Sequence, residues 1–130
     1  MTKSEKSVTW MGSALKDLRS FPDEVKQVFG VAIYFAQRGG KHPQAKPMKG
    51  YKGGGVLEIV EDYDRNTYRC IYTVRFSNKI YILHAFQKKS KKGIATPQPD
   101  LDVINRRLQE VKKLEESSLQ EVKKLEGIQS

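Results

Sequence analysis

The chain has few of the residues that build covalent or metal-bound sites. Its 130 residues include one cysteine, Cys70, and two histidines, His42 and His84. A single cysteine excludes an intramolecular disulfide, and one thiol beside two scattered imidazoles has no metal-ligand spacing. No apolar run approaches the ~18 residues needed to span a bilayer. The opening segment, residues 1–7, is polar and has no hydrophobic stretch behind its lysines, so no secretory leader is expected. The phosphate-loop pattern GxxxxGK[ST], the dinucleotide fingerprint and a Ser-His-Asp order are all missing. These absences argue against a disulfide scaffold, a helical membrane span, a Cys/His metal centre and a dinucleotide or phosphate-loop site. The expectation is a cytoplasmic protein of one modest domain, with no cofactor and no membrane partner.

Basic charge is abundant, and it is concentrated. The net charge is +9, of which residues 41–98 carry +8, residues 1–40 carry +2 and residues 99–130 carry −1. An excess in one segment is where a polyanion would bind, although a generic solubility charge is the plainer reading.

The pattern of apolar residues divides the chain. Val8, Trp10 and Met11 form a short apolar opening suited to an edge strand, and residues 12–20 suit a short helix. Pro22, Asp23 and Glu24 read as a helix start, because proline fits the first turn and acids suit the positive end of the helix dipole. Val25, Val28, Phe29, Ala32, Ile33 and Ala36 then recur at spacings of three and four, and Gly39-Gly40 ends that helix. Residues 40–55 read as loop. Residues 56–63, 67–76 and 79–87 read as three strands of an antiparallel meander. In the second, Tyr68, Cys70, Tyr72, Val74 and Phe76 alternate with Thr67, Arg69, Ile71, Thr73 and Arg75. The third is apolar on both faces, as a central strand should be. A helix is expected from about Thr96 to about Leu125. It contains LQEVKKLE twice, at Leu108–Glu115 and Leu119–Glu126, eleven residues apart. That period is close to three helical turns and puts the apolar positions near one stripe. The expected division is a domain over residues 1–107 and an amphipathic extension over 108–130, serving a partner or a second copy, or standing as a solvated tail.

Several groups are candidates for chemistry. Lys46, Lys49 and Lys52, set among glycines, could follow a phosphate backbone, and Tyr51 could stack on a base; a mobile linker is the structural alternative. Lys88, Lys89, Lys91 and Lys92 leave the last strand together and could hold a cation near a scissile phosphate, or form a solvated charge run. Arg69 and Arg75 lie on the polar face of the second strand. An arginine inside a sheet needs an anion, either Glu58 on the neighbouring strand or a substrate phosphate. His84, inside an apolar strand, is a possible acid or base and equally a satisfied core residue. Metal-free RNA cleavage needs a base, an acid and cations around phosphorus, all of which these residue types supply.

The loop Lys-Pro-x-Lys-Gly (Lys46–Gly50), the strand Tyr-Arg-x-x-Tyr (Tyr68–Tyr72) and the strand exit Leu-His-x-Phe-x-Lys-Lys (Leu83–Lys89) resemble the phage-derived, HigB-like branch of the RelE/ParE toxin superfamily. The resemblance covers about residues 8–110 and does not reach the terminal repeat. It implies a RelE-like α+β fold: N-terminal helices on a small twisted antiparallel sheet of three to four strands, followed by a C-terminal helix. It implies the toxin of a two-gene type II module, neutralised by a cognate antitoxin protein. RelE-like and HigB-like members cut mRNA, commonly on the ribosome, and so arrest translation; ParE-like members inhibit DNA gyrase without chemistry. By position, Arg69 corresponds to the strand arginine that holds phosphate in nucleolytic members, and Lys89 falls near their basic residue after the last strand. With His84 these form the expected catalytic set, and Lys46, Lys49, Tyr51, Lys52, Arg75, Lys88, Lys91 and Lys92 the expected RNA-binding set. The chain departs from nucleolytic relatives in carrying Glu58 and Glu61 on its first long strand and no tyrosine after Tyr81. The expected activity is a metal-independent endoribonuclease. A gyrase inhibitor or a non-catalytic nucleic-acid-binding module is the alternative.

Overall fold

The computed structural model describes residues 5–76, 78–89 and 95–129. Strand β1 (Ser7–Trp10) leads into helices α1 (Ala14–Arg19) and α2 (Asp23–Gln37). Strands β2 (Ala45–Pro47), β3 (Val56–Tyr63), β4 (Asn66–Thr73) and β5 (Lys79–Lys89) follow, and helix α3 (Gln98–Gln129) closes the chain. The strands form one sheet in the order β1-β5-β4-β3-β2. Among the described residues, no helix is long and apolar enough to cross a membrane.

The predicted meander is present: β3 pairs antiparallel with β4, and β4 with β5. Two additions correct the expectation of an antiparallel sheet of three to four strands. β1 runs parallel to β5, with Val8 opposite Ile80, and β2 adds an antiparallel edge to β3. The sheet is therefore mixed and five-stranded. Part of the segment read as loop is the strand β2, whose Pro47 is tolerated because an edge strand needs no outward N–H.

Helix α2 buries Val25, Phe29, Ala32, Ile33 and Ala36, five of the six residues in the predicted stripe, against Leu57, Ile59, Cys70, Tyr72, Ile80 and Ile82 on one sheet face. Helix α3 covers part of the other face, where Ile104, Leu108 and Val111 pack with Met48, Val56, Ile71, Tyr81 and Leu83. Strand β5 lies between these two layers, which is why it is apolar on both sides. Past Gln37 the helix ends on Gly39, at φ +84°, whose N–H donates to the Ala36 carbonyl at 3.0 Å. Only glycine adopts that backbone angle without steric cost.

The β4–β5 ladder slips by one residue. Ile71 lies opposite His84, while Tyr72 lies opposite Ile82. Leu83 is thus the extra residue of a β-bulge, a feature that re-aims side chains and leaves backbone groups unpaired in the ladder.

Candidate active site

Beyond the apolar patch under α3, the same sheet face carries polar side chains that are buried: Glu58 on β3, Arg69 on β4 and His84 on β5. Arg69 Nη1 is 3.1 Å from Glu58 Oε2, and Lys46 Nζ on β2 is 3.7 Å from Glu58 Oε1. One carboxylate therefore sits between two cations. Arg69 is only 5% exposed, and removing either partner of such a buried pair costs far more than breaking an exposed one. Of the two partners foreseen for Arg69, the structure seats Glu58.

Phe86 stands opposite Arg69 and stacks on the His84 ring, with centroids 4.9 Å apart. His84 Nε2 is 2.8 Å from Asp100 Oδ1, at the start of α3. His84 Nδ1 faces Arg107 Nη1 at 3.5 Å. A guanidinium only donates, so Nδ1 is the acceptor and Nε2–H donates to Asp100. Both ring nitrogens are turned onto protein groups. The more open member of the pair is Asp100, whose side chain is 25% exposed against 10% for His84.

Arg107 holds this corner together. Its Nη1 donates to the carbonyl of the bulged Leu83 at 2.9 Å, and its Nη2 donates to Ser13 Oγ at 3.3 Å, beside α1. Burial pushes its pKa below the usual arginine value. Gly12 makes room for it: a Cβ there would lie 2.5 Å from Arg107 Nη2, and the backbone is at φ +52°. Sequence reasoning singled out neither Arg107 nor Asp100. Their signal was periodic only: Arg107 stands three residues after the buried Ile104 and seven after Asp100, one face of a helix.

The lysine-rich loop is stitched down. Met48 N–H donates to the Val56 carbonyl at 2.9 Å, and Thr73 Oγ1 donates to the Gly55 carbonyl at 2.8 Å. Tyr51 is half-buried, and its hydroxyl donates to Asn105 Oδ1 at 2.5 Å, so its ring packs on α3 in this structure. Burial raises its pKa. Arg75 lies over Gly55 and donates to the Lys52 carbonyl at 3.1 Å. Lys46, Lys49, Lys52 and Arg75 are exposed around β2 and this loop.

Lys88 lies at the other end of the meander, with its Nζ donating to the Ala95 carbonyl at 2.7 Å. Along β4 the two basic ends are separated by the run from Thr67 to Thr73, roughly 20 Å at strand rise. A polyanion touching both would cross the Arg69–Glu58 position. Lys89 is the last residue of β5, opposite Asn66, but its side chain, with all of Lys91 and Lys92, lies outside the described residues. Tyr81 Oη donates to Glu115 on α3. Burial first, then that carboxylate, pushes its pKa up to about 12, and burial does the same to Tyr72 and Cys70. The Cys70 thiol is inert for the same reason.

The fold and this face define an α+β protein with a mixed sheet sandwiched between helices and a cation-rich face crossed by buried polar pairs. The sequence pattern of the family described as phage-derived protein Gp49-like (DUF891) matches residues 16–109. The chain belongs to that family, a type II toxin family related to RelE-like toxins. The match takes in Arg69, His84, Asp100 and Arg107 and ends before the second copy of the repeat. No curated protein matches the chain.

Proposed function

We propose that the protein is the toxin of a type II toxin–antitoxin module of the HigB-like branch, and that it acts in the cytoplasm by cleaving mRNA without a metal ion. The observation that carries this reading is the pairing of buried Arg69, with Lys46, around Glu58, beside the His84–Asp100 pair on one sheet face. Family membership supports the toxin assignment. In the reaction, Asp100, backed by His84, takes the proton from a ribose 2′-hydroxyl. The 2′-oxygen attacks the adjacent phosphorus while Arg69 and Lys89 balance the charge that builds there. The 5′-oxygen leaves and takes a proton from solvent, giving a 2′,3′-cyclic phosphate and a 5′-hydroxyl end. Lys46, Lys49, Lys52, Arg75 and Lys88 hold the flanking phosphates, and the cognate antitoxin neutralises the toxin. The ribosome presents the mRNA.

A second reading, gyrase inhibition without chemistry, draws on two facts. Arg69 is already opposed by Glu58, and both nitrogens of His84 face protein groups. One experiment separates the two: induced expression in cells, pulse-labelling of protein and DNA synthesis, and mapping of new 5′-hydroxyl mRNA ends. Early loss of protein synthesis with new ends is expected. Arg69→Ala and Asp100→Asn should each lower cleavage by about 100-fold or more, with folding checked by circular dichroism. Early loss of DNA synthesis with intact mRNA would make the protein a gyrase inhibitor.

A further inference from the structure

The exposed half of α3 plays no part in that reaction. Leu114, Leu119, Val122 and Leu125 are 50%, 56%, 50% and 60% exposed. At 3.6 residues per turn all four lie within about 80° of Val111 around the helix axis. They therefore continue the stripe that buries Ile104, Leu108 and Val111 in the body. Near its end, the covered part of that stripe carries the contact of Glu115 with Tyr81.

The flanks of the stripe are ordered by charge. One flank carries Lys112, Glu116, Lys123 and Glu126 around Leu119. The other carries Leu114 and Leu125 with Glu121. From Lys112 onward the described helix holds four lysines and four glutamates, so it is neutral on a chain of net charge +9. Neutrality gives an acidic partner no electrostatic preference for this surface.

We propose that this stripe is a self-association surface on which α3 of a second copy of the chain packs antiparallel. In an antiparallel pair related by a two-fold axis, each flank meets its own counterpart. With the crossing at Leu119, Leu114 of one copy then meets Leu125 of the other. On the charged flank, Lys112 meets Glu126 and Glu116 meets Lys123, each twice. A parallel pair would lay the charged flank of one copy on the leucine flank of the other and match none of these charges. Antiparallel packing also holds the two cationic bodies at opposite ends of the helix pair, where their repulsion is least. Four apolar residues per copy make a small interface, of the kind that forms transient dimers. This inference stands on α3 alone and does not depend on the toxin reading.

The test is sedimentation equilibrium of the full chain from low to high micromolar concentration, with three variants. A dimer is expected. Leu119→Glu places two carboxylates at the crossing and should raise the dissociation constant by about 100-fold. Lys123→Glu should raise it several-fold, and adding Glu116→Lys to that variant should restore it. All three positions are exposed, so an unchanged far-ultraviolet circular dichroism spectrum and melting curve of the dilute protein confirm folding. A chain that stays monomeric throughout would overturn the proposal, as would a dimer indifferent to Leu119→Glu. A dimer in which the double swap is no tighter than the single one would rule out the antiparallel register.

Discussion

The two copies of LQEVKKLE share one helix and one sequence, yet they live in different surroundings. In the first copy Leu108 is 4% exposed and Val111 is fully buried; their equivalents, Leu119 and Val122, are 56% and 50% exposed. Glu115 receives the Tyr81 hydroxyl, whereas its equivalent Glu126 has no such partner among the described residues. Leu114 and Leu125, the third apolar pair, are 50% and 60% exposed: Leu114 sits at the margin of the stripe, about 60° from Val111, and Leu125 shares the exposure of the whole second copy. The helix treats the two copies alike. The difference is that the sheet lies under the first and ends before the second. An apolar side chain contributes to stability only when something lies opposite to exclude water.

The largest test of this contrast is a matched pair of truncations followed by urea unfolding of the dilute monomer. Leu108→Ala should destabilise by about 2–5 kcal/mol, as core leucines do, and Leu119→Ala by no more than about 0.5 kcal/mol. Equal losses would mean the second copy is covered in the monomer. The next largest concerns the anchor just before the first copy. Gly12→Ala adds a side chain at a positive φ and presses on the Arg107 guanidinium. A loss of about 1–3 kcal/mol is expected, with Arg107→Ala no worse on the Gly12→Ala background than alone if the two act through the same contact.

The glutamates give a smaller effect with a pH signature. Glu115→Gln should cost about 1 kcal/mol at neutral pH and Glu126→Gln almost nothing. Burial, together with the Glu115 hydrogen bond, raises the Tyr81 pKa from 10.0 to about 12. The folded state therefore holds that proton more tightly than the unfolded chain. The associated stability is present below pH 10 and is lost as the pH climbs toward 12. Tyr72 and Cys70 shift in the same direction, so the whole protein should lose stability across that alkaline window. Tyr81→Phe should flatten part of the loss. The smallest effect lies between the copies. Ser117→Ala and Ser118→Ala improve helix propensity by a few tenths of a kcal/mol each. They should slow amide exchange in the second copy without moving the melting temperature of the body.

The same division between local and distant causes separates what could be read from the sequence. Helix α2 was legible because five of its six predicted stripe residues, from Val25 to Ala36, all face the sheet. The meander was legible because the alternation of Tyr68, Cys70 and Tyr72 with Arg69 and Ile71 sets a two-residue period and puts the first three on one face, the one that packs against α2. β1 was expected as an edge strand but not in parallel pairing, and β2 was read as loop. Strands of four and three residues carry almost no period, and their partners lie far away in the chain. At the candidate site, Glu58 could be named beforehand as a partner for Arg69 because it sits on the adjacent strand. Asp100 and Arg107 could not, because they reach His84 across 16 and 23 residues and through a bulge that no pattern announces.

The sequence by itself determined the charge and its concentration in the middle segment, the long helices, the three long strands and the apolar stripe of α3. Those follow from each residue's own chemistry and its neighbours within a turn or two. The tertiary structure decided which copy of the repeat is buried, that Lys46 joins Arg69 at Glu58 and which way His84 points. Each depends on what the fold places opposite a side chain, and an identical octapeptide cannot encode two different neighbours.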